Sequence, residues 1–247
     1  MLTISRKKHG IEFIDCWYAD ESLKKKGIIR YYQAIKPIGK KIESFDTLLT
    51  DLTESEEEII ARFAKNCKYK VNRAPREGVT VTCIQKQDIT DEKIQEFVAF
   101  YSEFYASKGY ESVNQEKLTE ELKRYRDAGA LSIHVAYLND IPVVYHTHVI
   151  TDKYARLFHS ASLYRVIEGV NPNVVGMANR YLHKVDMLQY KDMGIDTYDW
   201  GGAGKGEEVA NITEFKESFG GTPAVFYHGE EVRGLKAKLF KILISFM

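Results

Sequence analysis

Between residues 131 and 163 three β-type runs follow one another with almost nothing between them: 131–138, 141–150 and 154–163. The breaks are Asn139-Asp140 and Asp152-Lys153, both tight-turn pairs. A segment built this way closes as two successive hairpins, an antiparallel meander whose faces must then be covered. The flanking sequence supplies the cover. Ile94, Phe97, Val98, Tyr101, Phe104 and Tyr105 recur at i, i+3, i+4 spacing and predict a helix that stops at Gly109. Leu118, Leu122 and Tyr125 predict a second helix over 115–127, with Gly129 after it. Met177, Ala178, Tyr181, Leu182, Val185 and Leu188 predict a long third helix over 174–193, closed by Gly194. A strand at 79–84 precedes this group. A strand at 196–200, a short helix near 211–217 and a strand at 223–228 follow it. From residue 79 the order is therefore β, α, α, β, β, β, α, β, α, β. It predicts an α/β (α+β) chain with a mixed, twisted sheet flanked by helices on both faces.

The N-terminal part reads as strands and one helix. Ile11, Phe13, Cys16 and Tyr18 alternate imperfectly with polar residues, 28–35 is a second β-like run, and 47–49 is a short apolar one. A helix is expected over 55–72, where Ser55 and Glu58 have capping-box spacing and Glu56–Glu58 suit a helix N-terminus. Its apolar stripe is Ile59, Ile60, Phe63 and Ala64. Residues 62–76 carry six basic side chains and no acid; such a run is either a solvated helix face or a phosphate-binding one. The tail from Arg233 to Met247 is a basic amphipathic helix, with Leu235, Leu239, Ile242 and Leu243 against Lys236, Lys238 and Lys241. Docking of that stripe on the chain's own domain is the favoured expectation over lying on anionic lipid.

Charge narrows the function classes. Lys+Arg and Asp+Glu are both 35, so the formal net charge is zero, which argues against a chain built to coat nucleic acid. Cys16, Cys67 and Cys83 are scattered and form no CxxC pair, so reduced thiols in a cytoplasmic protein are expected. Residues 1–10 lack the apolar core of a signal peptide, and no run approaches the roughly 18 apolar residues of a membrane span.

The most chemically suggestive stretch is Tyr198-Asp199-Trp200-Gly201-Gly202-Ala203-Gly204-Lys205-Gly206, followed by Glu214-Phe215-Lys216-Glu217-Ser218-Phe219 and Gly220-Gly221. Glycines at this density let backbone approach a ligand or adopt positive φ. Lys216 sits between two aromatic anchors, which would hold its ammonium in place for an acyl or phosphate group. Other signals are absent. Gly204-Lys205 lacks the Ser/Thr and upstream glycine of a Walker loop, and there is no GxSxG elbow and no HExxH. His146 and His148 share one strand face without an evident third ligand, so no metal site is expected and both read as partly buried strand histidines.

The strand and helix order resembles the GNAT (N-acetyltransferase) superfamily. Its coenzyme A motif, Arg/Gln-x-x-Gly-x-Gly/Ala, aligns with Asn173, Gly176 and Ala178, the first position departing. A closer resemblance is to the Fem-type branch, the peptidoglycan bridge-forming aminoacyl transferases. Two regions carry it: Thr47–Thr53 with Ser55–Glu58, Lys68–Ala74 and Gly78-Val79, and Tyr198–Gly202 with Phe215-Lys216-x-x-Phe219-Gly220-Gly221. The resemblance implies an abbreviated N-terminal portion at 1–78, a GNAT-like domain at 79–231 and a C-terminal helix at 232–247. It implies direct attack of an amine on an activated acyl carbonyl, with no protein nucleophile and no tightly bound cofactor. The donor would be aminoacyl-tRNA or acyl-coenzyme A. The acceptor would be a nucleotide- or lipid-linked envelope precursor or another amine, handled in the cytoplasm or at the inner membrane face.

By the same resemblance Lys216 supplies charge to the donor phosphate or the developing oxyanion, and Phe215 stacks on the donor. Asp199 is the candidate proton acceptor, with His159 and Tyr145 as weaker candidates. Arg73 and Arg156 are candidates for acceptor phosphates, and Gly201, Gly202, Gly204, Gly176 and Ala178 for close backbone approach. Two other readings stand beside this one: an acyl-coenzyme A-dependent N-acyltransferase acting on an amino sugar nucleotide, and a degenerate, non-catalytic binding module.

Overall fold

The computed structural model describes residues 1–163, 169–204 and 207–244. Lys205 and Gly206 of the glycine cluster, and residues 245–247 of the tail, lie outside the described residues. In chain order the elements are β1 (Leu2–Lys8), β2 (Ile11–Trp17), β3 (Gly27–Ala34), β4 (Lys40–Asp51), α1 (Glu56–Ala61), α2 (Lys65–Arg73), β5 (Val79–Gln85), α3 (Asp91–Lys108), α4 (Gln115–Asp127), β6 (Leu131–Leu138), β7 (Ile141–Ile150), β8 (Tyr154–Ser162), α5 (Pro172–Asp192), β9 (Thr197–Asp199), α6 (Glu207–Glu217), β10 (Thr222–Arg233) and α7 (Leu235–Ile244). They form two compact units, Met1–Thr47 with Pro223–Met247 and Leu48–Thr222. The divisions thus fall near residues 47 and 223 rather than at 78 and 231. The reason is pairing: β10 returns to lie antiparallel to β3, with Glu230 opposite Arg30 and Val232 opposite Ile28.

In the larger unit the strand order is β4-β9-β8-β7-β6-β5. The meander β6-β7-β8 is antiparallel throughout, as the turn pairs require. β8 and β9 run parallel and share only three paired positions, Tyr154/Thr197, Ala155/Tyr198 and Arg156/Asp199. Nearly every residue of β6 is buried, because helices cover both faces of the sheet. α5 packs on β5–β8 from one side, while α3 packs on β7 and β8 and α4 on β6. One core layer joins Ala136, Leu138 and Val144 to Val174, Val175, Ala178 and Leu182 of α5. A second joins Leu48, Phe63, Leu157, Met187, Trp200 and Phe219.

The helix expected over 55–72 is two helices. Its start is as read: the Ser55 side chain accepts from Glu58 N–H and Glu58 reaches back to Ser55 N–H. It breaks at 62–64, where Ala64 turns extended and its N–H finds the Ser218 carbonyl at 2.8 Å. The break turns Phe63 inward, edge-on to Phe219 with centroids 5.0 Å apart. Opposite, Gly220 has φ +75°, and a Cβ there would strike the Arg62 carbonyl.

The smaller unit carries β1-β2-β3-β10 and the first part of β4. β1, not anticipated from the sequence, is an edge strand whose last four residues are exposed and mostly basic. α7 buries Ala237 and packs Phe240 against Phe13, at 5.9 Å edge-on. The leucine stripe expected to dock does not: Leu235, Leu239, Ile242 and Leu243 are 74, 52, 54 and 65% exposed.

Candidate active site

Pairing between β8 and β9 ends at Arg156 and Asp199. Beyond that point β8 continues to Ser162, whereas the other chain leaves the sheet at Gly201. Gly201 has φ +71°, and a Cβ there would collide with the Leu157 carbonyl oxygen. A glycine is therefore required for the two chains to part, and a cleft of about 520 Å³ opens between them. Tyr101, Phe104 and Tyr105 of α3 form one wall; Phe158 of β8, Trp200 and Phe215 of α6 form others. Ser160, Ser162, Asn179 and Asn211 add hydrogen-bonding groups. Lys108 and Lys216 are cationic, and no aspartate or glutamate is among the described lining residues. Such a wall favours a flat or sugar-like ligand that carries negative charge.

Lys216 lies in the last turn of α6. Its Nζ donates to the carbonyls of Trp200 at 2.8 Å and Gly202 at 2.6 Å. An ammonium has three N–H bonds, so one remains for a ligand. Burial, and then the Arg156 guanidinium, push this lysine down to about 8, with Asp199 opposing. Phe215, the neighbouring residue, is backed by the Arg180 guanidinium 4.6 Å from its ring centre.

Behind the cleft lies a polar cluster that sequence reading missed. Asp186 of α5 is fully buried beneath four histidines. Its Oδ1 is 2.7 Å from His134 Nδ1, and its Oδ2 is 2.6 Å from His146 Nδ1. The Tyr198 hydroxyl donates to Oδ2 at 3.5 Å and lies 3.1 Å from His183 Nδ1 and 3.3 Å from His148 Nε2. Ser132 bonds the Tyr190 hydroxyl at the cluster's edge. Burial alone would raise the Asp186 carboxyl; His146 and His148 outweigh it and hold the group well below the usual carboxylate range. The same burial pushes His148 down to about 4 and His183 well below its ordinary value. His183 also lines the cleft, its ring 4.8 Å from Trp200 and 5.5 Å from Phe215.

The residue types of this cluster are those of a metal centre: His134, His148 and Asp186 form one group, and His146, His183 and Asp186 another. The spacing is that of hydrogen bonds. Two ligands about 2.0–2.1 Å from one ion stand more than about 3 Å apart, whereas Asp186 is 2.6–2.7 Å from two ring nitrogens. The Tyr198 hydroxyl sits within hydrogen-bonding reach of His148, His183 and Asp186.

Of the residues singled out in the sequence, Lys216, Phe215 and Gly201 line the cleft, and Gly202 supplies a carbonyl to Lys216. The Gly204 carbonyl accepts from the Thr213 hydroxyl at 3.0 Å. Asp199 and Arg156 lie opposite each other across β8 and β9 and do not line the cleft. Asp199 is fully buried and accepts from Gly201 N–H at 2.9 Å, and Arg156 donates to the Leu157 carbonyl at 3.1 Å. His159 and Tyr145 face α3 instead: His159 bonds Thr147 Oγ1 at 2.8 Å beside Phe97 and Tyr101, and Tyr145 packs on Phe97 and Phe100. Burial, and then Arg156, take His159 down to about 3. Arg73 pairs with Glu77 on the surface. Ala178 is sealed in the core, and a Cβ at Gly176 would meet nothing within 4 Å. The start of α5 is capped from within, Asn171 Oδ1 accepting from Asn173 N–H at 3.0 Å.

The acetyltransferase (GNAT) domain family matches residues 61–217 of the chain. A comparison with curated proteins finds no sequence match. Among solved structures, FemX superposes with a TM-score of 0.65 at 11% identity, over 97% of this chain and 85% of that one. L-PGS from Bacillus licheniformis superposes at 0.51 with 12% identity, over 88% of this chain and 72% of that one. A C-terminal domain assigned to a lysylphosphatidylglycerol synthetase of Agrobacterium fabrum reaches 0.53 at 13% identity, over 87% and 71%. At these identities the likeness is one of fold.

Proposed function

The chain belongs to the acetyltransferase (GNAT) domain family and is an acyltransferase, and on that premise we propose that it is a Fem-like enzyme moving an activated acyl or aminoacyl group onto the amine of a cell-envelope precursor. The observation that carries this reading is the Lys216 ammonium on the wall of an aromatic cleft, with two N–H bonds fixed by carbonyls and the third open. In acyl transfer the carbonyl oxygen gains negative charge as the amine adds. A preorganised cation in a largely buried site stabilises that charge without reorganising. Phe215 and the tyrosines of α3 offer flat surfaces for a base or sugar ring.

The proton acceptor we assign is His183. With its Nδ1–H on the Tyr198 hydroxyl and that hydroxyl on the Asp186 carboxylate, Nε2 is the nitrogen that carries the lone pair. The amine nitrogen first bonds to the acyl carbon, which makes its N–H far more acidic, and only then passes its proton to Nε2 of an imidazole that burial holds neutral. The acyl–oxygen or acyl–sulfur bond then breaks, and the leaving atom takes its electron pair and that proton. Asp199 stays as an anchor of the Gly201 turn and a counter-charge near Lys216.

The internal cap on α5 and the buried Ala178 weigh against a pyrophosphate at that helix start, and hence toward aminoacyl-tRNA over acyl-coenzyme A as donor. The test is donor capture. Charged tRNA is expected to bind in a filter assay with a shallow salt slope and to transfer its aminoacyl group to a UDP-linked envelope precursor, at a rate that falls at least about a hundredfold with Lys216→Met. Stabilisation by acetyl-coenzyme A with turnover of an amino sugar nucleotide would move the reading to the second donor. Binding of neither donor would overturn it.

A further inference from the structure

The chain is neutral as a whole, but its charge is divided. The smaller unit holds 14 Lys+Arg and 8 Asp+Glu, a net +6, and the larger unit the balancing −6. The basic unit is also the one that leaves a helix stripe uncovered. At about 100° per residue, Leu235, Leu239, Ile242 and Leu243 fall within one face of α7. All four are more than half exposed. Lys238 borders that face on one side and Lys236 on the other. Ala237, Phe240 and Lys241 lie opposite and tie the helix down, Lys241 through Glu230 at 2.8 Å. Two hollows flank the helix. One is walled by Arg6, Lys7 and Lys26 with Glu12, which lies opposite Lys7 in the β1–β2 pairing, and the other by Lys40 and Lys41. The acids Glu230 and Glu231 in the second are matched by Lys241 and Arg233.

We infer that this face is a docking surface for an anionic lipid bilayer, with the leucine stripe of α7 lying in the headgroup boundary and the lysines around it meeting lipid phosphates. A helix anchored by its small inner face, with an apolar stripe outward and a lysine on each border, has the geometry of an in-plane interfacial helix. The lysine stems can lie along the apolar zone while their ammonium groups reach the phosphates. A second copy of this chain fits the face poorly, because it would bring one +6 unit against another. This surface goes beyond the transfer reading and does not depend on it.

The experiment is sedimentation of the full chain with phosphatidylcholine vesicles, with and without about one-third phosphatidylglycerol. Binding is expected only to the anionic vesicles and is expected to fall as salt is raised. Lys236→Ala and Lys238→Ala should each weaken it about fivefold. The double variant Leu239→Glu, Leu243→Glu should abolish it while leaving the melting curve unchanged, since both side chains are exposed. Failure of the wild-type chain to sediment with anionic vesicles overturns the inference, as does binding that survives the double variant. Self-association that the double variant removes, without vesicle binding, also overturns it and assigns the face to a second copy.

Discussion

At the scale of single residues, Lys216 makes the most specific demand. Lys216→Met should lower transfer by at least about a hundredfold, the order seen when one oxyanion donor is lost, read as kcat with binding of donor largely kept. Because burial brings this lysine to about 8, its cationic share falls as pH rises through that value. Transfer should therefore decline on the alkaline side, and Lys216→Arg, whose charge persists, should lose that decline whatever its absolute rate. The same depression means the folded state binds fewer protons than the unfolded chain between about 8 and the ordinary 10.5, so this group's contribution to stability grows with pH across that window. Lys216 was legible in the sequence because its anchors, Phe215 and Phe219, are local. His183 and Asp186 were not, because their partners His134, His146 and His148 come from strands about forty to fifty residues away in the chain. A signal was there: both fall on the buried face of α5, among Leu182, Met187 and Tyr190, where a polar residue needs a reason. Asp186→Ala strips the ring nitrogens of their acceptor, and should cost about 3–5 kcal/mol in chemical denaturation.

At the scale of elements, the meander and its covering helices followed the hydrophobic period closely, and α4, β6 and β7 have the expected bounds. What escaped the sequence was decided by contacts across the fold. The break between α1 and α2 exists to turn Phe63 onto Phe219. β10 extends to Arg233, past its apolar core, because β3 supplies a partner from Tyr227 to Arg233. Two element-level predictions follow the local physics. Ser55→Ala removes one half of a capping box and should destabilise the chain by about 1 kcal/mol, read by thermal melting. Gly201→Ala forces a Cβ onto the Leu157 carbonyl at positive φ. It should cost more than about 1 kcal/mol and reduce transfer together with it, since the turn that would shift also carries the Lys216 acceptors.

At the scale of the whole molecule, the division into units is not the order of the chain. Residues 48–222 form one unit without interruption, whereas the other is assembled from both sides of them. A chain ending at Thr222 should keep slow hydrogen exchange in β6 and β7 and lose it in β2 and β3, because β3 loses its β10 partner. The arrangement also sets a timetable. On a ribosome the larger unit is an insertion that can close as soon as it emerges. The first three strands, with Ile14, Ile29 and Tyr31 among their core residues, must wait for β10. At about 5–20 residues per second that interval is roughly ten to thirty-five seconds. For that time the nascent protein holds open strand edges and an unclosed apolar patch, so its earliest need is for a chaperone rather than for its substrate.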